Sequence, residues 1–363
     1  MAPEPPLSAA SAIADRRLVL VAGTGRSGTS TLAGVLRRLG LHVPQPEVGS
    51  DSTNPRGFGE PQWVVDFHDA LLHQAHVKVS DARPVAWERT AELAALPEAQ
   101  HRLDAWLESQ FDQAAVVLVK DPRLSWFLPL WTAAARRQGV EPSFVTMLRP
   151  PPEVVGSKRT YYNALLQDGQ GVAAWLNMML GTEHATRGSS RALVRYHDLL
   201  AGWEQVVTGI GKELDLDPLS DIDQHAREEI GGFVDPGLRR ISLTFDDLDL
   251  PERLATMAKS AWTSLDELAS SPDAPEALAS LDELRERYQA YYLESEVVSQ
   301  STLIAAREEA HRRGVAESPI SGRAALVALA VSASRRLPRW VLRLVPSALR
   351  ARARAQLGGR RVG

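Results

Sequence analysis

The sequence predicts a three-layer α/β fold, with a central parallel sheet flanked by helices, on three observations. Four short apolar runs, at 18–22, 115–119, 143–148 and 192–196, have the length and composition of strands buried on both faces. Helical patterns separate these runs, which is the alternation that right-handed crossovers between parallel strands require. The first run passes directly into Gly23-Thr-Gly-Arg-Ser-Gly28, a glycine-rich turn, and then into a helix starting near Thr29.

That first helix carries Leu32, Val35, Leu36 and Leu39 at helical spacing. Helices at 61–74 and 97–111 precede the second strand, and one at 127–138, stopped by Gly139, follows it. After the third strand come helices at 152–166 and 171–185, and after the fourth a helix at 198–213. Residues 214–250, rich in Asp and Gly, read as irregular, while 251–270 and 277–313 read as helices, the second long and charged. No internal repeat is present. The expected organisation is a disordered arm at 1–16, a catalytic domain at 17–275, a long charged helix at 276–313 as a helical extension, and a basic amphipathic tail at 314–363.

Bulk composition excludes several classes. With 44% apolar and 24% charged residues over 363 positions, the chain is neither disordered nor membrane-spanning as a whole. The absence of cysteine excludes disulfides, thiolate metal sites and a cysteine nucleophile. The first residues lack the pattern of a secretory signal, and the longest apolar stretch, 324–333, is too short to cross a bilayer, so a cytoplasmic location is expected. Charge is uneven. The net charge is −4, but residues 318–363 hold ten of the 41 basic residues and no acid, leaving 31 basic against 45 acidic, a net −14, before them. Within 335–361, arginines mix with Trp340, Leu342, Leu344 and Leu349, with Pro338 and Pro346 dividing the pattern. This composition suits an anionic membrane surface, an acidic polymer, or the acidic body of the same chain. No nucleic-acid partner is expected.

The glycine turn is an anion seat, because a strand–turn–helix aims backbone N–H groups and a helix dipole at one point. Gly23, Gly28 and Ser30 have the spacing of a phosphate-binding P-loop, but Thr29 stands where that loop has its lysine, and Arg26 lies inside the turn instead. Three readings compete. The string also satisfies the dinucleotide-binding pattern, with Glu47 as the acid about 20 residues on, although Pro44 and Pro46 interrupt the strand that should carry it. A nucleoside-triphosphate kinase or transferase is disfavoured by the missing lysine, which bridges the β- and γ-phosphates. A tight turn without a ligand does not account for an arginine and four hydroxyls in one loop.

Gly-Thr-Gly-Arg-Ser-Gly-Thr-Ser resembles the 5′-phosphosulfate loop of sulfotransferases that use 3′-phosphoadenosine 5′-phosphosulfate (PAPS), of the bacterial and glycan or tyrosyl type. The resemblance implies a P-loop-like fold, PAPS as co-substrate, PAP as product and no metal. It places Gly25, Arg26, Ser27, Gly28, Thr29 and Ser30 around the donor, with Arg26 on the 5′-phosphate and the bridging oxygen. Three further segments are similar to the family. Strand-terminal Arg149 followed by Ser157 matches the 3′-phosphate motif. Lys120, in Lys-Asp-Pro-Arg123, corresponds to the lysine near the sulfonyl group, with Asp121 and Arg123 as either site residues or a loop brace. Tyr196, before His-Asp-Leu-Leu, matches the adenine-contacting tyrosine. Glu60, in Asn-Pro-Arg-Gly-Phe-Gly-Glu, is the expected general base, against its alternative as a helix N-terminal acid; Glu47 and His68 are reserves. Arg239 and Arg240 fall where the family returns basic residues to the 3′-phosphate, with surface charge as the other account. Lys158 and Arg159 read as solvent-exposed. The resemblance implies transfer to a hydroxyl of a glycan, glycolipid or small molecule held by loops at 41–60, 80–96 and 160–190. The alternatives are a kinase-type transferase or a non-catalytic membrane adaptor with the same fold.

Overall fold

The computed structural model describes residues 16–317 except 217, 218, 220 and 221. The expectations for the N-terminal arm through residue 15 and for the basic tail from 318 onward, including membrane contact through 335–361, lie outside the described residues. The chain divides into two compact units, one ending at Leu293 and the other beginning at Glu294.

Four parallel strands form the sheet of the first unit, in the order β2-β1-β3-β4. They are β1 (Arg17–Ala22), β2 (Val116–Lys120), β3 (Ser143–Leu148) and β4 (Arg191–Arg195). β1 is central, pairing Val19 with Leu118 of β2 on one side and Leu20 with Phe144 of β3 on the other. The chain leaves β1 for β2 at one edge and then crosses to β3, so the switch point lies beside the end of β1.

Period-two alternation divides β1 between two cores. Leu18, Leu20 and Ala22 face one layer with helices α2 (Gln62–Ala75), α4 (Pro97–Phe111) and α5 (Leu128–Arg137). Val19 and Val21 face the other, with α1 (Thr29–Arg38) and α9 (Trp203–Leu214). The predicted three layers are therefore present. A third cluster joins α6 (Pro151–Tyr161) and α7 (Asp168–Thr186) to α11 (Glu252–Leu268) and to Ala277, Leu281, Leu284 and Tyr288 of α12 (Pro275–Glu317). In the second unit, α12 exposes Val297, Val298 and Ile304. Among the described residues no helix is long and apolar enough to cross a membrane.

Several boundaries differ from the sequence reading. The helix expected at 198–213 is two, α8 (Tyr196–Ala201) and α9, broken at Gly202, whose non-helical backbone is the N-cap of the second. Residues 85–94, read within a loop, form α3 (Val85–Ala94), which starts after Pro84 and buries Ala86 and Thr90. The irregular stretch contains α10 (Gln224–Phe233), capped by the Asp223 carboxylate, which accepts from the Ala226 N–H at 2.7 Å. Asp223 is an ordinary N-cap signal that the surrounding Asp and Gly content obscured. The helix expected from 127 is preceded by a 3₁₀ turn, Pro122–Phe127, in which Asp121 caps Arg123. The helix expected to reach 166 ends at Tyr161, while the helix expected at 171–185 is α7, three residues longer at its start and one at its end.

Candidate active site

All four parallel strands end on one side, and the residues that follow them line a single cleft of about 890 Å³ including its mouth. Ten residues singled out from sequence meet there besides Arg26: Gly25, Gly28, Thr29, Ser30, Glu60, Lys120, Arg149, Ser157, Tyr196 and Arg240. Ser27 does not line the cleft; its hydroxyl is buried and donates to the Thr24 carbonyl at 2.7 Å, bracing the turn from behind.

The turn after β1 needs its glycines for two distinct reasons. Gly23 has φ 133° and a side chain there would lie 2.9 Å from the Met147 carbonyl oxygen. Gly28 has φ 96° and a Cβ there would strike the Tyr196 ring at 2.2 Å, so the loop and the end of β4 are packed backbone to ring. Arg26 itself has φ 76°, a left-handed conformation that costs a non-glycine residue about 1–3 kcal/mol and is found where the surroundings enforce it. Its Nε donates to Ser157 Oγ at 2.9 Å, joining the turn to α6.

Lys120, the last residue of β2, is only 1% exposed, and its ammonium donates to Glu60 Oε1 at 2.5 Å, Ser30 Oγ at 3.1 Å and the Phe58 carbonyl at 3.1 Å. All three ammonium hydrogens are thus engaged. Arg123 approaches the same carboxylate, Nη1 lying 3.9 Å from Glu60 Oε2. Arg123 also donates to Asp121 at 2.8 Å and to Asp69, so Asp121 and Arg123 do form the brace weighed from sequence. Asp121 is fully buried; although burial raises its carboxyl pKa, the His68 hydrogen bond and the Arg123 charge hold it well below the usual range.

The reserve bases lie elsewhere. His68 Nδ1 is 2.7 Å from Asp121, while its Nε2 accepts from the Trp131 indole N–H at 2.9 Å, so both ring nitrogens are occupied in the buried core. Glu47 accepts from Arg37 at 2.7 Å and Gln45 at 2.8 Å, and neither it nor His68 lines the cleft.

Arg149 follows β3 and is 6% exposed. Its Nε donates to Glu153 at 2.9 Å, its Nη1 to the Arg26 carbonyl at 3.0 Å, and its guanidinium lies 4.8 Å from the centre of the Tyr196 ring. Burial raises the Tyr196 pKa, opposed by the Arg149 charge. Arg239 pairs with the other oxygen of Glu153 at 2.6 Å and Arg240 lines the cleft itself, donating to the Tyr161 hydroxyl at 3.2 Å. Lys158 is a correction to the sequence reading, since it is buried rather than solvent-exposed and donates to Ser80 Oγ at 2.8 Å. Arg159 keeps about a third of its side chain exposed and pairs with Asp168 at 2.6 Å.

Tyr161 and Tyr162 line the cleft and were not singled out from sequence; Thr53, Asn54, Pro55, Arg56 and Phe58 line it as well, all but Thr53 within the segment quoted for Glu60. Tyr161 had a readable signal: it lies four residues after Ser157, one helical turn along the same face.

No protein-family model matches the chain, and no curated protein matches it. Among solved structures, the sulfotransferase domain of the Synechococcus olefin synthase is similar at a TM-score of 0.41 and 17% identity, covering 68% of this chain and 94% of that one. The sulfotransferase domain from the curacin biosynthetic pathway is similar at a TM-score of 0.36 and 14% identity, covering 68% and 98% respectively.

Proposed function

We propose that this chain is a sulfotransferase that moves a sulfonyl group from PAPS to a hydroxyl of a glycan, glycolipid or small-molecule acceptor and releases PAP. The observation that carries this reading is the meeting of the glycine turn, Arg149 with Ser157, and the Lys120–Glu60 pair in one cleft. The lining holds five cations, Arg26, Arg56, Lys120, Arg149 and Arg240, against the single carboxylate of Glu60. An excess of that size, on a chain whose first 317 residues are strongly acidic, suits a ligand bearing a phosphosulfate and a second phosphate. Thr29 in place of the P-loop lysine argues against a triphosphate donor.

In the proposed reaction the acceptor oxygen bonds to sulfur as the sulfur–oxygen bond to the 5′-phosphate breaks, and that electron pair leaves with PAP. Glu60 takes the hydroxyl proton. The 2.5 Å pairing gives this transfer a second effect. Protonation removes the charge that holds Lys120, so the ammonium is released toward the negative charge growing on the donor side. Arg26 shares that task. The basic segment at 335–361 would keep the enzyme on the inner face of an anionic membrane, near a lipid-linked acceptor.

Titrating the protein with PAP and, separately, with ATP and Mg²⁺ tests the donor site. Tight Mg²⁺-independent PAP binding, with labelled sulfate passing from PAPS to a hydroxylated acceptor, supports the proposal. Binding of ATP with indifference to PAP overturns it in favour of a kinase-type transferase, and PAP binding without any transfer favours the adaptor.

A further inference from the structure

Arg26 is held by more than its turn. Its guanidinium carbon lies 4.7 Å from the centre of the Tyr161 ring and 5.1 Å from that of Tyr162. Its Nη1 donates to the Tyr162 hydroxyl at 3.3 Å and its Nε to Ser157 at 2.9 Å. The two tyrosines are the end of α6 and the residue after it, so one helix supplies Ser157, Tyr161 and Tyr162 to the same guanidinium. Arg240 donates to the Tyr161 hydroxyl at 3.2 Å and helps to fix that ring. Tyr162 is 55% exposed and lines the cleft.

We propose that Tyr161 and Tyr162 form an aromatic clamp that positions Arg26 for the donor. The physical need is clear from the alternatives open to that side chain. A free arginine on a glycine turn samples many rotamers and swings into solvent; between two ring faces it is confined, and its planar fork stays aimed across the cleft. The clamp leaves the guanidinium charge intact, which a carboxylate partner would neutralise. Ser157 accepts from Arg26 and keeps its own O–H free to donate, so Arg26, Ser157 and Arg149, whose Nη1 holds the Arg26 carbonyl, make one continuous anion cradle rather than two separate seats. These tyrosines act through Arg26 and are positioning residues. The inference rests on the sulfotransferase reading for its activity arm only.

The test compares the wild type with the double variant Tyr161→Leu/Tyr162→Leu, the single variant Tyr162→Leu, and Tyr162→Phe, which keeps the ring and loses the hydroxyl. The first readout uses no ligand: an arginine-selective dicarbonyl reagent is applied to the folded protein, and the labelling rate at Arg26 is followed by peptide mass mapping against exposed Arg136. Loss of both rings is expected to raise the Arg26 rate about tenfold, Tyr162→Leu by less, and Tyr162→Phe to leave it near wild type. The second readout is PAP affinity and PAPS turnover, where the double variant is expected to lose about tenfold in affinity and a further factor in kcat, with Tyr162→Phe restoring most of both. An unchanged labelling rate in the double variant overturns the clamp. Should that variant fail to fold, Tyr162→Leu, altered at a half-exposed site, decides on the same criterion. If wild-type protein fails to bind PAP, the sulfotransferase reading falls, while the labelling contrast still decides the clamp.

Discussion

Among the described residues two lysines are buried, and their surroundings have almost nothing in common. Lys120 is 1% exposed at the end of β2, with a carboxylate, a hydroxyl and a carbonyl each taking one ammonium hydrogen. Lys158 is 8% exposed on α6 and donates to the Ser80 hydroxyl, with no carboxylate within ion-pair distance among the described residues. Burial pushes the Lys158 pKa down to about 8. The first is a charge delivered to a cleft already rich in charge, together with the group that compensates it. The second is a charge the fold encloses without compensation. Burial alone therefore does not distinguish the two; under the proposed function, what sets Lys120 apart is its matched partner at the carboxyl end of a parallel strand.

The most severe test of this contrast is Lys120→Ala, expected to lower sulfate transfer by about 10²- to 10³-fold, as loss of a charge-stabilising donor does. Initial rates with labelled PAPS, alongside far-UV circular dichroism to confirm the fold, measure it; near-normal turnover would sink the mechanism. Glu60→Gln is expected to cost about 10²- to 10⁴-fold, since it removes the proton acceptor. His68→Gln should leave turnover near wild type and instead lower stability, because its partners are Asp121 and Trp131 in the core. Equal losses in the Glu60 and His68 variants would move the base away from Glu60.

A smaller effect is expected at Ser157. Removing its hydroxyl in Ser157→Ala takes away one donor to an anion and one acceptor for Arg26, weakening PAP by about tenfold with kcat little altered. Isothermal titration gives the affinity, and a fall in kcat as large as the fall in affinity would place Ser157 on the reacting atoms instead.

How much of this was legible in the sequence depends on whether local pattern or distant partners decided the outcome. The four strands were legible because each is a continuous apolar run, and Lys120, Arg149 and Tyr196 because parallel strands must all deliver their ends to one side. The gathering of the site around Gly23–Thr31 follows from that topology. Hidden from view were facts made by side chains far apart in the chain. Lys158 read as exposed because its charge gave no hint of Ser80, 78 residues away, which shares its burial. His68 looked like a usable imidazole until Trp131 and Asp121 closed on both nitrogens. Tyr161 carried a helical spacing from Ser157 and Tyr162 none, and only the left-handed turn at Arg26 brings a cation over the two rings.

The mildest test falls on Lys158 itself. Its folded pKa, about 8, lies below the roughly 10.4 of an unfolded lysine, so the unfolded chain binds the proton more tightly. Stability should then rise with pH between about 8 and 10, as the folded lysine gives up its charge before the unfolded one does. Below pH 8 both states are protonated and the fold carries the full cost of the enclosed charge. Lys158→Met retains the aliphatic bulk, removes that charge and is expected to stabilise the protein at pH 7 by about 1–3 kcal/mol, with the gain shrinking toward pH 10. Urea unfolding at both pH values reads the difference. A loss of stability at pH 7 would mean that an anion does reach this ammonium, and the contrast between the two lysines would become one of degree.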